Sequence, residues 1–452
     1  MGLLLLVDLY HRSRDLVAHY TDKGILPTDV FFEYYSYLPY KLSLHALSGS
    51  AVYQGGLFLV AGLFALSLTL GFYTRFSAVI SWLFLISLQD RNIMILYGGD
   101  IYIRVLLFWG LFLPLGEHFS VDRMLKKDEE PPLNVFSSAS VAYLLQVCIV
   151  YWAAAAFKWN PDWFSGTAVT YALKIDQFAT PLGLWLRELT WLHPVLTYIT
   201  LYVELLGPFL AFMPFCFGPL RTLAVVIFSL MHVGFGLSLT LGLFSFIGIT
   251  AWIPFLPTWF WKKWGFKDHG PVESSPFWEN MTVGFLCVYV IFFNIHTINP
   301  NIRPPLFGKD WQSLANILHI NQKWNMFSRP LRDDGWYVVQ GQTLSGKNVD
   351  LFQSKNQLDW TKPSLVSHTY KNDRWRKFMM NIWWNNNKRY RQHFARYLTN
   401  DWNEKHAGFD KVQHVNVFFV LERTGDNLQS EIPQRVLIER FSVSSNSLYP
   451  FR

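Results

Sequence analysis

Up to about residue 298 the chain runs through one long apolar stretch after another. Beyond that point Lys, Arg, Asn, Asp and Trp take over. A helix needs about 20 mostly apolar residues to cross the hydrocarbon of a bilayer. Candidate spans lie at 1–18, 52–72, 76–97, 100–116, 139–157, 195–217, 221–239, 241–258 and 281–297. With short loops between them, the expected count is eight or nine. The runs are continuous rather than alternating, which argues against a transmembrane barrel. The expected fold class is therefore mainly α: a polytopic transmembrane helix bundle over 1–298, then a non-cytoplasmic, β-rich extramembrane domain over 299–452.

Composition agrees with a membrane chain, since only 16% of the 452 residues are charged, against about a quarter in soluble proteins. The net charge of +7 is explained by basic loops, so nucleic acid is not an expected partner and the lipid bilayer is. Alternating spans from an inside N-terminus put Arg75, Arg123, Lys126, Lys127, Arg221, Lys262, Lys263 and Lys267 on the cytoplasmic side of a multi-pass cell membrane. The same alternation puts the 158–194 loop and the C-terminal domain together on the other face. Cys148, Cys216 and Cys287 lie apart within apolar runs, so neither a metal site nor a disulfide framework is expected.

Polar side chains inside lipid are costly and mark functional candidates. Asp8 and Arg12 stand at i,i+4, as do Asp100 and Arg104, and each pair is expected to neutralise itself. Glu204 and His232 have no sequence-local partner. The most unusual segment is Ala153-Ala154-Ala155-Ala156-Phe157-Lys158-Trp159-Asn160-Pro161-Asp162-Trp163. A small-residue face permits close helix packing, and Asn-Pro stops the helix just after a single Lys. Lys158 reads either as a snorkelling lysine in a tryptophan belt or as a desolvated, neutral amine able to act as a general base.

Lys158-x-x-x-Asp162-Trp163-x-x-Gly166 resembles an element of vitamin K-dependent gamma-carboxylases and of the horizontally transferred transmembrane (HTTM) family. So does His232 followed by Gly242-x-Phe244-Ser245-Phe246. Asp90-Arg91-Asn92, Gly98-Gly99-Asp100 and Arg104 add a third match, and Trp324-x-Met326 a fourth, all in family order. The resemblance implies catalytic roles for Lys158 and His232. It places Asp162, Trp163, Gly166, Gly242, Phe244, Ser245, Trp324 and Met326 around the substrate. The implied cofactor is reduced vitamin K or a related quinol. Lys158 would deprotonate it, oxygen would add, and the alkoxide formed would take a γ-proton from a Glu-bearing peptide or protein, which carbon dioxide then captures. The chain departs from the carboxylases at Phe157, where they carry a second lysine, and at Phe235, where they carry a polar residue. Both departures bear on carboxylation more than on quinol binding. The enzyme reading predicts an apolar pocket between spans, capped by the 158–194 loop. The alternative is a non-catalytic membrane factor for peptide export or maturation. Transport is less attractive, because no half-and-half symmetry of broken helices is visible.

Overall fold

The computed structural model describes residues 1–35, 43–126, 134–135, 137–265, 272–273, 276–302 and 310–443. Lys127 and Lys267, two of the expected cytoplasmic residues, lie outside them. The first part folds into α1 (Gly2–Ser13), α2 (Leu16–Tyr20), α3 (Thr28–Tyr35), α4 (Ala51–Leu70), α5 (Thr74–Arg91), α6 (Gly98–Gly110), α7 (Val121–Leu125) and α8 (Ser138–Phe157). It continues through α9 (Pro161–Phe164), α10 (Ala168–Leu173), α11 (Pro181–Glu188), α12 (His193–Leu210), α13 (Phe217–Ser238), α14 (Phe244–Trp252), α15 (Thr258–Lys263) and α16 (Phe277–Ile298). Two-residue strands β1 (Asn134–Val135) and β2 (Val272–Glu273) pair in parallel.

Among the described residues four helices are long and apolar enough to cross a membrane: α4, α8, α13 and α16. A fifth is added if α11 and Thr190–Leu210 form one span bent by 87°. The eight or nine expected spans are not reached. Hydropathy alone does not locate helix breaks. The 1–18 run divides into α1 and α2, and the 13-residue α6 spans only about 20 Å of a hydrocarbon core of about 30 Å. In α5 the ends carry Arg75, Asp90 and Arg91. Local signals explain the breaks that do occur. Gly71 ends α4 in the left-handed region at φ 68°, where a Cβ would strike Ser120. The Ser137 side chain accepts from Ser140 N–H to open α8, and Pro161 opens α9 directly after it.

The bundle has two distinct ends. At one, the α4–α5 junction is held by Asp122, which accepts from Tyr73 and Thr74 N–H, and the start of α8 is tied to α16 by Ser138 and Asn280. Arg75, Arg123, Lys262 and Lys263 belong to helices that start or sit there. At the other end lie Lys158, the segment 158–192 and the C-terminal sheet. Exposed tryptophans mark both ends: Trp159, Trp185 and Trp191 at one, Trp259, Trp264 and Trp278 at the other. Aromatic belts of this kind sit at the two bilayer interfaces.

After α17 (Trp311–Ile317) come β3 (Asp333–Thr343), β4 (Asn348–Asp350), α18 (Asp373–Trp383), α19 (Arg389–Lys405), β5 (Val412–Arg423) and β6 (Gln434–Ser442). The strands form an antiparallel sheet in the order β4-β3-β5-β6. Its buried face, with Val339, Val415, Val417 and Phe419, packs with Phe378, Met379 and Phe394 of the helices. Packing crosses the 298/299 boundary in both directions. Tyr20, Val30 and Phe31 join the sheet's core, while Ala315, Ile320 and Trp324 join the core of the bundle. The basic, aromatic segment at 373–391 reads in sequence as a helix lying on lipid headgroups. Instead α18 buries Arg374, Trp375 and Arg376, because each arginine finds partners on the bundle.

Candidate functional site

Lys158 closes α8, and its Nζ donates to Glu204 Oε2 of α12 at 2.7 Å. The two side chains are 4% and 7% exposed. The alanine face makes this possible: Ala155 packs with Trp163, Ala168 and Leu201, bringing α12 close enough for a short carboxylate to reach the amine. Taken singly, Lys158 and Glu204 each look unpaired; one buried charge of each sign on two apolar helices was the available sign that they meet.

The rest of the loop motif builds the walls. The Trp163 ring lies 5.0 Å from Lys158 Nζ, and its Nε1 donates to the carbonyls of Phe327 and Ser328 at 3.2 and 3.0 Å. Asn160 Nδ2 donates to Ser328 as well, at 2.8 Å. Asp162 pairs with Arg332 at 2.8 Å. Gly166 turns the chain at φ 77° against Pro194 and Tyr198, and its carbonyl accepts from Thr197 Oγ1. Residues 327–332 thus clamp the segment that follows Lys158, and nothing in their local sequence announced it.

His232, on α13, packs against the same face of α8 further along the helix. Its Nε2 is 2.7 Å from the Tyr151 hydroxyl, which also accepts from Trp252 Nε1 at 3.0 Å. Tyr151 precedes Lys158 by seven residues, roughly two turns or 10 Å along the helix. No hydrogen bond joins His232 to Lys158; α8 is what relates them. The imidazole lies 5.4 Å from the Phe244 ring, centroid to centroid. It rests on Gly248 of α14 while Ser245 rests on Gly236 of α13, so His232 and Ser245 share the α13–α14 seam. Gly242, at φ 59°, meets the Asp373 carboxylate and the Tyr97 hydroxyl. It therefore seats the C-terminal helix α18 rather than facing Lys158.

Trp324 is fully buried beside Tyr102, ring centroids 5.6 Å apart. Its Nε1 donates to Gln322 Oε1 at 2.7 Å, and Gln322 exchanges amide hydrogen bonds with Gln146 of α8. Met326 Sδ lies against Gly98. These two motif residues plug the bundle's interior next to α6 and α8.

Asp8 and Arg12 pair at 2.7 Å as expected. Asp100 does not turn to Arg104. It binds Arg12 and Arg374, and Arg374 also binds Asp8 at 2.6 Å. Arg104 instead donates to Gln89 Oε1 and to Asn321. A partner from α18 was available to Asp100 and completes a four-charge cluster, which spacing within one helix could not reveal. No group of three or more metal-ligating side chains occurs among the described residues. A small cavity lined by Leu5, Asp8, His45 and Ala61 lies between α1, α4 and α5; neither Lys158 nor Glu204 lines it.

Long apolar helices with interfacial tryptophans, gathered around a few paired polar residues, define an integral membrane protein of the helical class. Residues 4–261, more than half the chain, match the HTTM domain model; the chain belongs to that family. No curated protein and no solved structure matches it. The match ends before the residues from 311 to 332 and Arg374, which pack on its motifs.

Proposed function

We propose that this membrane protein carries a proton-transfer centre for a lipid-soluble quinol, with Lys158 as the base and Glu204 as its proton partner. The observation that carries the reading is the 2.7 Å ion pair, shut away from water at the end of α8. A charged amine cannot accept a proton. In a low-dielectric interior, however, a buried ion pair is only weakly preferred to its neutral form. Transfer of one proton from Nζ to Glu204 Oε2 leaves a neutral amine beside a neutral acid. That amine can take the proton of an acidic hydroxyl placed against Trp163.

The donor set suits a quinol: an amine and a carboxyl in hydrogen-bond contact, walled by Trp163. Bound quinol with oxygen would supply the oxidative driving force that an amine base lacks. The protein's residues do the rest. Glu204 orients Nζ, Trp163 excludes water from it, and residues 327–328 fix the Trp163 ring. Coupling to glutamyl γ-carboxylation follows the family resemblance and would use a Glu-bearing peptide on the C-terminal side. We place that side outside the cytoplasm, because Arg75, Arg123, Lys262 and Lys263 gather at the opposite end. The domain over 299–452 is read as the peptide-facing part.

The test is epoxide formation from a reduced naphthoquinone and oxygen by protein in nanodiscs. Wild type should form epoxide and Lys158→Ala should not. No epoxide from folded, quinol-supplied wild type overturns the reading. The second reading, a non-catalytic factor for peptide export or maturation, is favoured by how tightly Lys158 is enclosed. In that case Lys158→Ala leaves capture of the peptide by the C-terminal side intact and wild type forms no epoxide.

A further inference from the structure

We infer that Tyr151 is a positioning residue: it holds the His232 imidazole with its proton on Nδ1, so that His232 offers a hydrogen-bond donor to an acceptor oxygen of the bound quinol. The inference rests on the quinol reading for the identity of that oxygen. The tautomer follows from the hydrogen bonds alone. An indole N–H only donates, so the Tyr151 oxygen accepts from Trp252 at 3.0 Å. The hydroxyl has one hydrogen to give, and its other neighbours are His232 Nε2 at 2.7 Å and the buried Tyr102 hydroxyl. If the hydroxyl donates there, Nε2 is bare and the ring proton sits on Nδ1.

The opposite arrangement, Nε2–H donating to Tyr151, sends the Tyr151 hydrogen to the Tyr102 oxygen and leaves two groups without partners: the Tyr102 hydrogen and a bare Nδ1. In a water-excluded interior that is the costlier choice. The favoured tautomer leaves one group over. His232 Nδ1 is buried without a partner, and so is Ser245 Oγ. Their residues are 1% and 5% exposed and share the α13–α14 seam, flanked by the Phe244 ring. Buried polar groups are rarely left unpaired without a reason. Two in one seam mark where the polar edge of an otherwise apolar ring compound would be received, an oxygen accepting from Nδ1–H. His232 then acts by donating a hydrogen bond, and base work stays with Lys158.

The test is nitrogen NMR of histidine-labelled protein in nanodiscs, with the His232 signal assigned by its loss in His232→Asn. Wild type should show the Nδ1–H form, and Tyr151→Phe should give a mixed or inverted ring. Adding 2-methyl-1,4-naphthoquinone should move the Nδ1 signal in the hydrogen-bonded direction. An Nε2–H ring in wild type overturns the inference, as does an unchanged tautomer in Tyr151→Phe. Should that variant fail to fold, the wild-type tautomer decides alone. An unmoved Nδ1 signal overturns the oxygen acceptor. In turnover, His232→Asn places an amide where Nδ1 was and should keep KM near wild type, whereas His232→Gln should raise it about tenfold. Equal KM values for the two overturn the donor role. A confirmed tautomer with no epoxide from wild type defeats the quinol reading while leaving the role of Tyr151 in place.

Discussion

Two of the protein's buried ionic assemblies are built on different plans. In the Asp8–Arg12–Asp100–Arg374 cluster two acids face two arginines, and the valences are filled. Arg12 also donates to Tyr20, Arg374 to the Ile95 carbonyl, and Asp100 accepts from Tyr97 N–H. The Lys158–Glu204 pair is sparse. Lys158 Nζ, with three N–H groups, makes one hydrogen bond and lies on one ring. A saturated cluster has nothing left to offer a ligand and serves as a rivet between α1, α6 and α18. A pair with spare donors at a helix end can exchange a partner. Burial of charge alone does not mark a functional site; under the proposed function, unfilled bonding capacity is what sets the Lys158–Glu204 pair apart.

The sharpest way to break the comparison is Arg374→Ala. It leaves Asp8 and Asp100 with one arginine between them, and losses of about 3–5 kcal/mol are typical when a buried pair loses a member. Unfolding in detergent should show it, with the C-terminal segment freed from the bundle and cut first by protease. A loss as small as that of a surface substitution would show the cluster is no rivet. At the other assembly, Lys158→Met with Glu204→Leu removes both charges at once. Apolar replacement of a whole buried pair is often neutral or stabilising, so thermal stability should stay within about 1 kcal/mol of wild type.

Gly242→Ala comes next. Its φ of 59° and the Asp373 carboxylate against it put the cost at about 1–3 kcal/mol, read as a lowered melting temperature with Lys158 chemistry retained. The most gradual effect is on pH. Burial, and then the Asp176 carboxylate, push Asp334 up to about 7, although Gln177 and the Asp176 and Gly335 N–H groups pull it down. A raised acid binds its proton in the folded state after the unfolded chain has lost it. Stability therefore falls as pH rises from about 4 to about 7, by on the order of 1 kcal/mol per unit, and is flat above. Hydrogen exchange at 174–179 should quicken over that window, and Asp334→Asn should abolish the trend. Unchanged pH dependence in that variant would place the trend elsewhere.

The comparison also shows which parts of the molecule were legible in the sequence. Long apolar runs revealed the helical membrane class, and the C-terminal part expected to be β-rich holds the sheet of β3 to β6. The Asn160-Pro161 stop after α8 and the Asp8–Arg12 pair depend on neighbours a turn apart, and both stand. What depended on distant chain segments was hidden. Asp100 took Arg374 over Arg104, 274 residues away. Glu204 met Lys158 across 46 residues, and Tyr151 met His232 across 81. The expected span count was not reached for a related reason. Hydropathy shows where lipid is tolerated, whereas caps, charges and glycines decide where α1, α5, α6 and α14 end.

One measurement bears on the contrast most directly: oxygen-dependent epoxide formation from reduced naphthoquinone by Lys158→Met/Glu204→Leu, beside wild type of equal thermal stability. If the sparse pair is the working centre, wild type forms epoxide and the equally stable double variant forms none. Equal epoxide from both would remove Lys158 and Glu204 from the chemistry and leave them, like the four-charge cluster, as part of the frame.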